Sequence, residues 1–137
     1  MSLAVMVVED EALLALELED VLQENGHRVL GPAMSRNQAV RLAEETRPDL
    51  ALVDVHLLDG PTGVEVARHL SSKGVPVVFM TANVRRIPED FAGAIGVIEK
   101  PYTTNGLQNA LTYVVKRLHG EPPPTVPASL TMSPTIA

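Results

Sequence analysis

The sequence predicts an α/β domain in which a parallel sheet is covered by helices on both faces. Short apolar runs rich in Val alternate with longer segments of helical periodicity, the pattern of βα repeats. The runs are continuously apolar rather than alternating, as in strands buried on both sides. Polar residues stand at the ends of four of the five runs, where open parallel sheets carry their chemistry.

The elements follow in order. Leu3–Val8 is too short for a helix and reads as the first strand. From Glu11 onward Leu14, Leu18, Val21 and Leu22 recur at helical spacing, and Asn25-Gly26 is a stop. His27–Leu30 is the second strand, ended by Gly31-Pro32. Ser35 and Gln38 form a capping box for a helix through Ala39, Leu42 and Ala43 that stops before Pro48. Leu50–Val53 is the third strand, with Asp54 at its end. Thr62 and Glu65 form a second capping box, for a helix through Val66, Ala67 and Leu70. Val75–Met80 and Gly96–Ile98 are the fourth and fifth strands. Between them Asn83–Ala94 is the least regular stretch, with Pro88 suited to the start of a helix. The last helix is the clearest, with Leu107, Ala110, Leu111, Val114, Val115 and Leu118 on one face. Five strands and five helices result. From Glu121 the chain turns to Pro, Ser and Thr and holds five of its 11 prolines, so 121–137 is expected to be a disordered tail after one domain over 1–120.

Composition narrows the function. The chain of 137 residues suits one domain, and its hydrophobic content of 45% can form a core. Aromatic residues are only 3%, so that core is aliphatic. A net charge of -6 argues against nucleic acid as a direct partner. No apolar run approaches bilayer length, and Met1–Val8 meets Glu9, Asp10 and Glu11 without a basic lead, so neither a membrane span nor a signal peptide is expected. The absence of cysteine fits a reducing compartment, and the cytoplasm is the default location.

The strand ends carry the chemistry. The first strand delivers Glu9 and Asp10, the third Asp54, the fourth Thr81 and the fifth Lys100. Taken singly, Asp10 is a helix cap, Thr81 a cap for the next segment and Lys100 an exposed lysine as readily as anything else. Together they form a constellation on one rim. Three crowded carboxylates repel, so one titrates high unless a cation joins them. Mg²⁺ fits such a site, since it uses one or two carboxylates and keeps open positions for phosphate oxygens. An Asp carboxylate is a nucleophile towards phosphoryl groups, and a lysine and a hydroxyl suit the oxygens of the product.

These residues resemble the receiver domains of two-component response regulators. The matching pieces are Val7-Val8-Glu9-Asp10-Glu11, Leu52-Val53-Asp54-Val55, Phe79-Met80-Thr81-Ala82 and Glu99-Lys100-Pro101-Tyr102, in order from about residue 3 to 118. The resemblance implies a flavodoxin-like sheet of order 2-1-3-4-5. It implies that Asp54 accepts phosphate from a histidine kinase or a histidine phosphotransfer protein. Asp10, Asp54 and the backbone carbonyl of His56 would bind Mg²⁺, with Glu9 acting through water. Thr81 and Lys100 would bind the phosphoryl group, and Lys100-Pro101 would be cis. The protein would be a signalling switch rather than an enzyme, its only chemistry being Mg²⁺-dependent self-phosphorylation and self-dephosphorylation. It would be a stand-alone receiver acting on a downstream protein that the sequence does not name. Receivers usually carry an aromatic residue where Val97 stands. With Phe79-Met80-Thr81 and Ile87-Pro88-Glu89-Asp90-Phe91, that resembles the subgroup with a Phe-Ala-Thr-Gly motif, from which Met80 and Ala82 depart. Without a ring to swing, the response to phosphate is expected in Asn83–Ala94.

Three other classes remain to be weighed. An aspartyl-nucleophile phosphatase normally has a second acid two residues after the nucleophile, where His56 stands here. A flavin or dinucleotide binder needs a Gly-rich loop after the first strand, where Glu9-Asp10-Glu11 would repel phosphate. A degenerate receiver would have lost part of the set of five. His27, His69 and His119 show no metal spacing and read as surface residues, and Arg85-Arg86 as solvated. Pro124 and Pro127 make a PxxP, a weak ligand signal.

Overall fold

The computed structural model describes residues 2–121 and 125–134. Its sheet has the order β2-β1-β3-β4-β5-β6, formed by Ala4–Val8 (β1), Arg28–Ala33 (β2), Leu50–Asp54 (β3), Val77–Thr81 (β4), Gly96–Glu99 (β5) and Leu130–Met132 (β6). The first five strands are parallel, and β6 runs antiparallel to β5. Among the described residues four α-helices lie on the sheet: Ala12–Glu24 (α1), Arg36–Thr46 (α2), Gly63–Ser72 (α3) and Thr104–Leu118 (α4).

Continuous apolar strands give a core on each side of the sheet. Val5 and Val7 of β1, Leu50 and Leu52 of β3, and Val78 and Met80 of β4 pack with Leu18, Leu22, Leu107 and Leu111 under α1 and α4. Met6, Val8, Ala51, Val53, Val77 and Phe79 pack on the opposite side with Ala39, Val66 and Leu70 from α2 and α3. The period of two along each strand divides the residues between the faces.

Several sequence expectations need correction. The fifth helix is absent: between β4 and β5 the chain makes single 3-10 turns at Val84–Arg86 and Phe91–Gly93. Asn83 and Asp90 cap them through Arg85 N–H and Ala92 N–H. Phe91 and Ala92 have φ of 54° and 50°, a left-handed backbone that no α-helix propagates. Ile87, Phe91, Ala92 and Ala94 all enter the core beside α3; Ile87, Phe91 and Ala94 are spaced as on one helical face, but Ala92 would lie roughly 100° from Phe91 on a helix and joins them through the left-handed turn. Arg68 of α3 holds Asp90 through two hydrogen bonds of 3.0 and 3.2 Å.

Strand β2 does not stop at Gly31-Pro32. It passes through a bulge, with Met6 opposite Leu30 and Val8 opposite Ala33. Gly31, at φ +98°, permits this, and a Cβ there would stand 2.8 Å from the Val7 carbonyl. Thr62 does not cap α3 by its side chain and donates instead to Asp59 Oδ1 at 2.6 Å. His27 is buried, its Nδ1 accepting from Leu3 N–H at 3.1 Å, whereas His119 is exposed and bonds the Val115 carbonyl at the end of α4.

The segment after α4 is also not wholly disordered. Residues Leu130–Met132 pair with β5, Leu130 joins the core under α1 and α4, and Ser133 is fully buried. Composition hid this, because three residues pair with an existing edge without needing a core of their own. The stretches 122–124 and 135–137 lie outside the described residues, as does Pro124 of the PxxP.

Candidate functional site

Strands β1, β3, β4 and β5 end at the same rim. Asp54 is the last residue of β3, and its carboxylate is almost buried. The neighbouring helix must come very close here: a Cβ on Gly63 would lie 2.0 Å from the Asp54 carbonyl, so only glycine lets α3 begin where it does. Gly63 N–H donates to the Val55 carbonyl at 3.0 Å and fixes the β3–α3 loop.

Lys100 reaches back from β5 and donates to Asp54 Oδ2 at 2.7 Å and to Glu9 Oε1 at 2.8 Å. Carboxylate oxygens of Glu9, Asp10 and Asp54 lie within 4.8 Å of one another. Burial pushes the Glu9 carboxyl from 4.5 up to about 7, against the pull of Lys100 and with further upward pressure from Asp54. Burial opposes the Lys100 charge, but the hydrogen bonds it gives to Asp54 and Glu9 outweigh this and hold its pKa above the usual value. One ammonium thus faces three carboxylates, and Asp10 has no cationic partner among the described residues. Such an excess of hard oxygen ligands fits a divalent cation.

Thr81 is buried at the end of β4. Its hydroxyl accepts from Asn83 N–H at 3.1 Å and donates to the Asn83 carbonyl at 3.3 Å, which holds it towards the loop. His56 N–H donates to Asp54 Oδ1 at 3.3 Å, while its imidazole Nε2 meets the Arg86 guanidinium. The five expected residues and His56 therefore converge, and an open cleft over Asp54 is lined by Leu14, His56, Thr81, Asn83, Arg86 and Lys100. Arg86 was missed by sequence reasoning. Its only signal was a place five residues after Thr81, which becomes meaningful once a 3-10 turn folds it back over the rim.

A parallel sheet with an acidic cluster and a lysine at the carboxyl end of its strands defines a receiver-type α/β domain. Residues 5–112 match the response regulator receiver domain family, and the chain belongs to that family. It is 40% identical over 88 residues to the phyllosphere-induced regulator PhyR of Methylorubrum extorquens, a match covering 63% of this chain and 33% of that protein. It is 34% identical over 117 residues to the transcriptional regulatory protein PdtaR of Mycobacterium tuberculosis, covering 82% and 57% respectively. The chain thus matches only a third to just over half of these relatives. Among solved structures, the receiver domain of Erythrobacter litoralis PhyR gives a TM-score of 0.74 at 30% identity, covering 91% of this chain and 96% of that one. The receiver domain of a diguanylate cyclase from Desulfovibrio desulfuricans also gives 0.74, at 31% identity, covering 88% and 99%. Among the described residues no helix is long and apolar enough to cross a membrane.

Proposed function

We propose that Asp54 is the phosphoacceptor of a cytoplasmic two-component phosphorelay. The observation that supports this best is the convergence of Lys100 on Asp54 and Glu9 at 2.7 and 2.8 Å, beside an Asp10 that has no cationic partner among the described residues. An Asp54 carboxylate oxygen attacks the phosphorus of a phosphohistidine on a histidine kinase or phosphotransfer protein. A P–O bond forms, the P–N bond breaks, and the imidazole leaves with the electron pair. Glu9, Asp10, Asp54 and the His56 carbonyl are the residues that would hold Mg²⁺. When bound, the ion would neutralise charge on the phosphoryl oxygens. Lys100 neutralises the acyl phosphate from its present position, and Thr81 donates its hydroxyl after leaving Asn83. The domain acts as a switch and not as a catalyst for another substrate. Phe79, Thr81, Val97 and the run Ile87-Pro88-Glu89-Asp90-Phe91 support the Phe-Ala-Thr-Gly subgroup.

Incubation with acetyl phosphate and Mg²⁺ is expected to add one phosphate by mass spectrometry, and Asp54→Asn is expected to add none. Equal labelling of that variant would remove Asp54 from this role.

A further inference from the structure

The outer edge of β5 holds a strand from the same chain, and the fit is specific. Gly96, Val97 and Ile98 pair with Met132, Thr131 and Leu130. A Cβ on Gly96 would stand 2.9 Å from the Thr131 carbonyl, so the two strands meet where β5 has no side chain. Leu130 is buried in the core under α1 and α4, and Ser133 N–H donates to the Ile95 carbonyl at 2.9 Å. Ser129 Oγ donates to the Gly106 carbonyl in the first turn of α4 at 2.7 Å.

The same strand β5 leads into the site. Lys100 follows two residues after Ile98, the partner of Leu130, and its N–H donates to the Thr81 carbonyl at 2.8 Å. Thr81 in turn pairs with Glu99. One short strand therefore carries the docked segment on its outer edge and connects to both expected phosphoryl contacts at its end. In the arrangement seen here, Lys100 is committed to Glu9 and Asp54, and Thr81 to Asn83.

We propose that 125–134 is a segment docked in cis through the strand Leu130–Met132, and that its hold on β5 is weakened when Asp54 is phosphorylated; this rests on Asp54 being the phosphoacceptor. Phosphorylation adds about -1.5 to -2 charge and three acceptor oxygens beside Lys100 and Thr81. Lys100 already reaches Asp54, so the change falls on Thr81: its hydroxyl leaves Asn83 for the phosphoryl, and its backbone, which pairs with Glu99 and accepts from Lys100 N–H, shifts the end of β5 against Leu130. The freed edge presents unpaired backbone groups. Linkage makes the effect reciprocal, so release of the strand favours the phosphorylated form of the site.

The test follows amide exchange at Ser133 in the full chain, with and without acetyl phosphate and Mg²⁺, and checks phosphate incorporation by mass. The expected result is roughly 5- to 150-fold faster exchange in the phosphorylated protein, the usual span of such couplings. Unchanged or slower exchange in protein that carries the phosphate overturns the proposal and leaves the Asp54 reading intact. Failure to incorporate phosphate overturns both. As a reciprocal measurement, beryllium fluoride with Mg²⁺ is expected to bind Leu130→Asp and Gly96→Ala more tightly than the unsubstituted protein, by a similar factor. Equal affinity in both variants also overturns the proposal, and the exchange measurement needs neither variant to fold.

Discussion

Glu9 is almost fully buried, and its charge is disfavoured in the folded protein despite Lys100. Glu9→Gln keeps the shape and removes the titration. A carboxyl raised from 4.5 to about 7 binds its proton more tightly in the folded state than in the unfolded chain. Its contribution to stability is therefore fully present below 4.5 and is lost as pH rises through 7. At roughly 1.36 kcal/mol per pH unit, the loss amounts to about 3 kcal/mol. The assay is urea unfolding of both proteins in chelator across this range. The difference between them matters, because it cancels groups common to both. Without a cation, the stability of Glu9→Gln minus that of the unsubstituted protein is expected to rise by about 3 kcal/mol from the bottom of the window to the top. Mg²⁺ at a hundredfold its Kd is expected to return about 2.7 kcal/mol to the unsubstituted protein. Parallel pH curves for the two proteins in chelator would refute the reasoning.

Other expectations follow from single contacts. Asp10→Asn should weaken Mg²⁺ binding sharply in calorimetry, whereas Glu44→Gln on exposed α2 should leave it unchanged. Val97→Tyr places a ring in a fully buried site, in the same core as Ile87, Phe91 and Ala94, and should cost about 1–3 kcal/mol in chemical unfolding. His27 is held below its usual 6.5, first by burial, so its contribution to stability is present above 6.5 and lost as pH falls through the depressed value. NMR titration should show its ring charging only at lower pH. Removal of residues after Gly120 uncovers the site of Leu130 and should cost at least about 1.5–3 kcal/mol, measured by urea unfolding.

Much of the protein was legible in the sequence because its signals are local. Uninterrupted runs such as Leu50–Val53 fix strands buried on both faces, and the face of α4 from Leu107 to Val114 fixes a helix. Since parallel strands share a direction, Glu9, Asp54, Thr81 and Lys100 fall on one rim once each is read as a strand end. Other features were settled by contacts between segments far apart in the chain. Asn83–Ala94 has enough apolar residues for a helix, but packing against α3 buries Ile87, Phe91 and Ala92 together and forces a left-handed turn. Arg86 reads as solvated until that turn brings it to His56. Gly63 is one glycine among nine until α3 is laid against the Asp54 backbone. Leu130–Met132 stands in a Pro-, Ser- and Thr-rich tail and has no strand signal of its own. Its structure comes from the backbone groups and side-chain space that the edge of β5 offers, and these exist only after the rest of the sheet has formed.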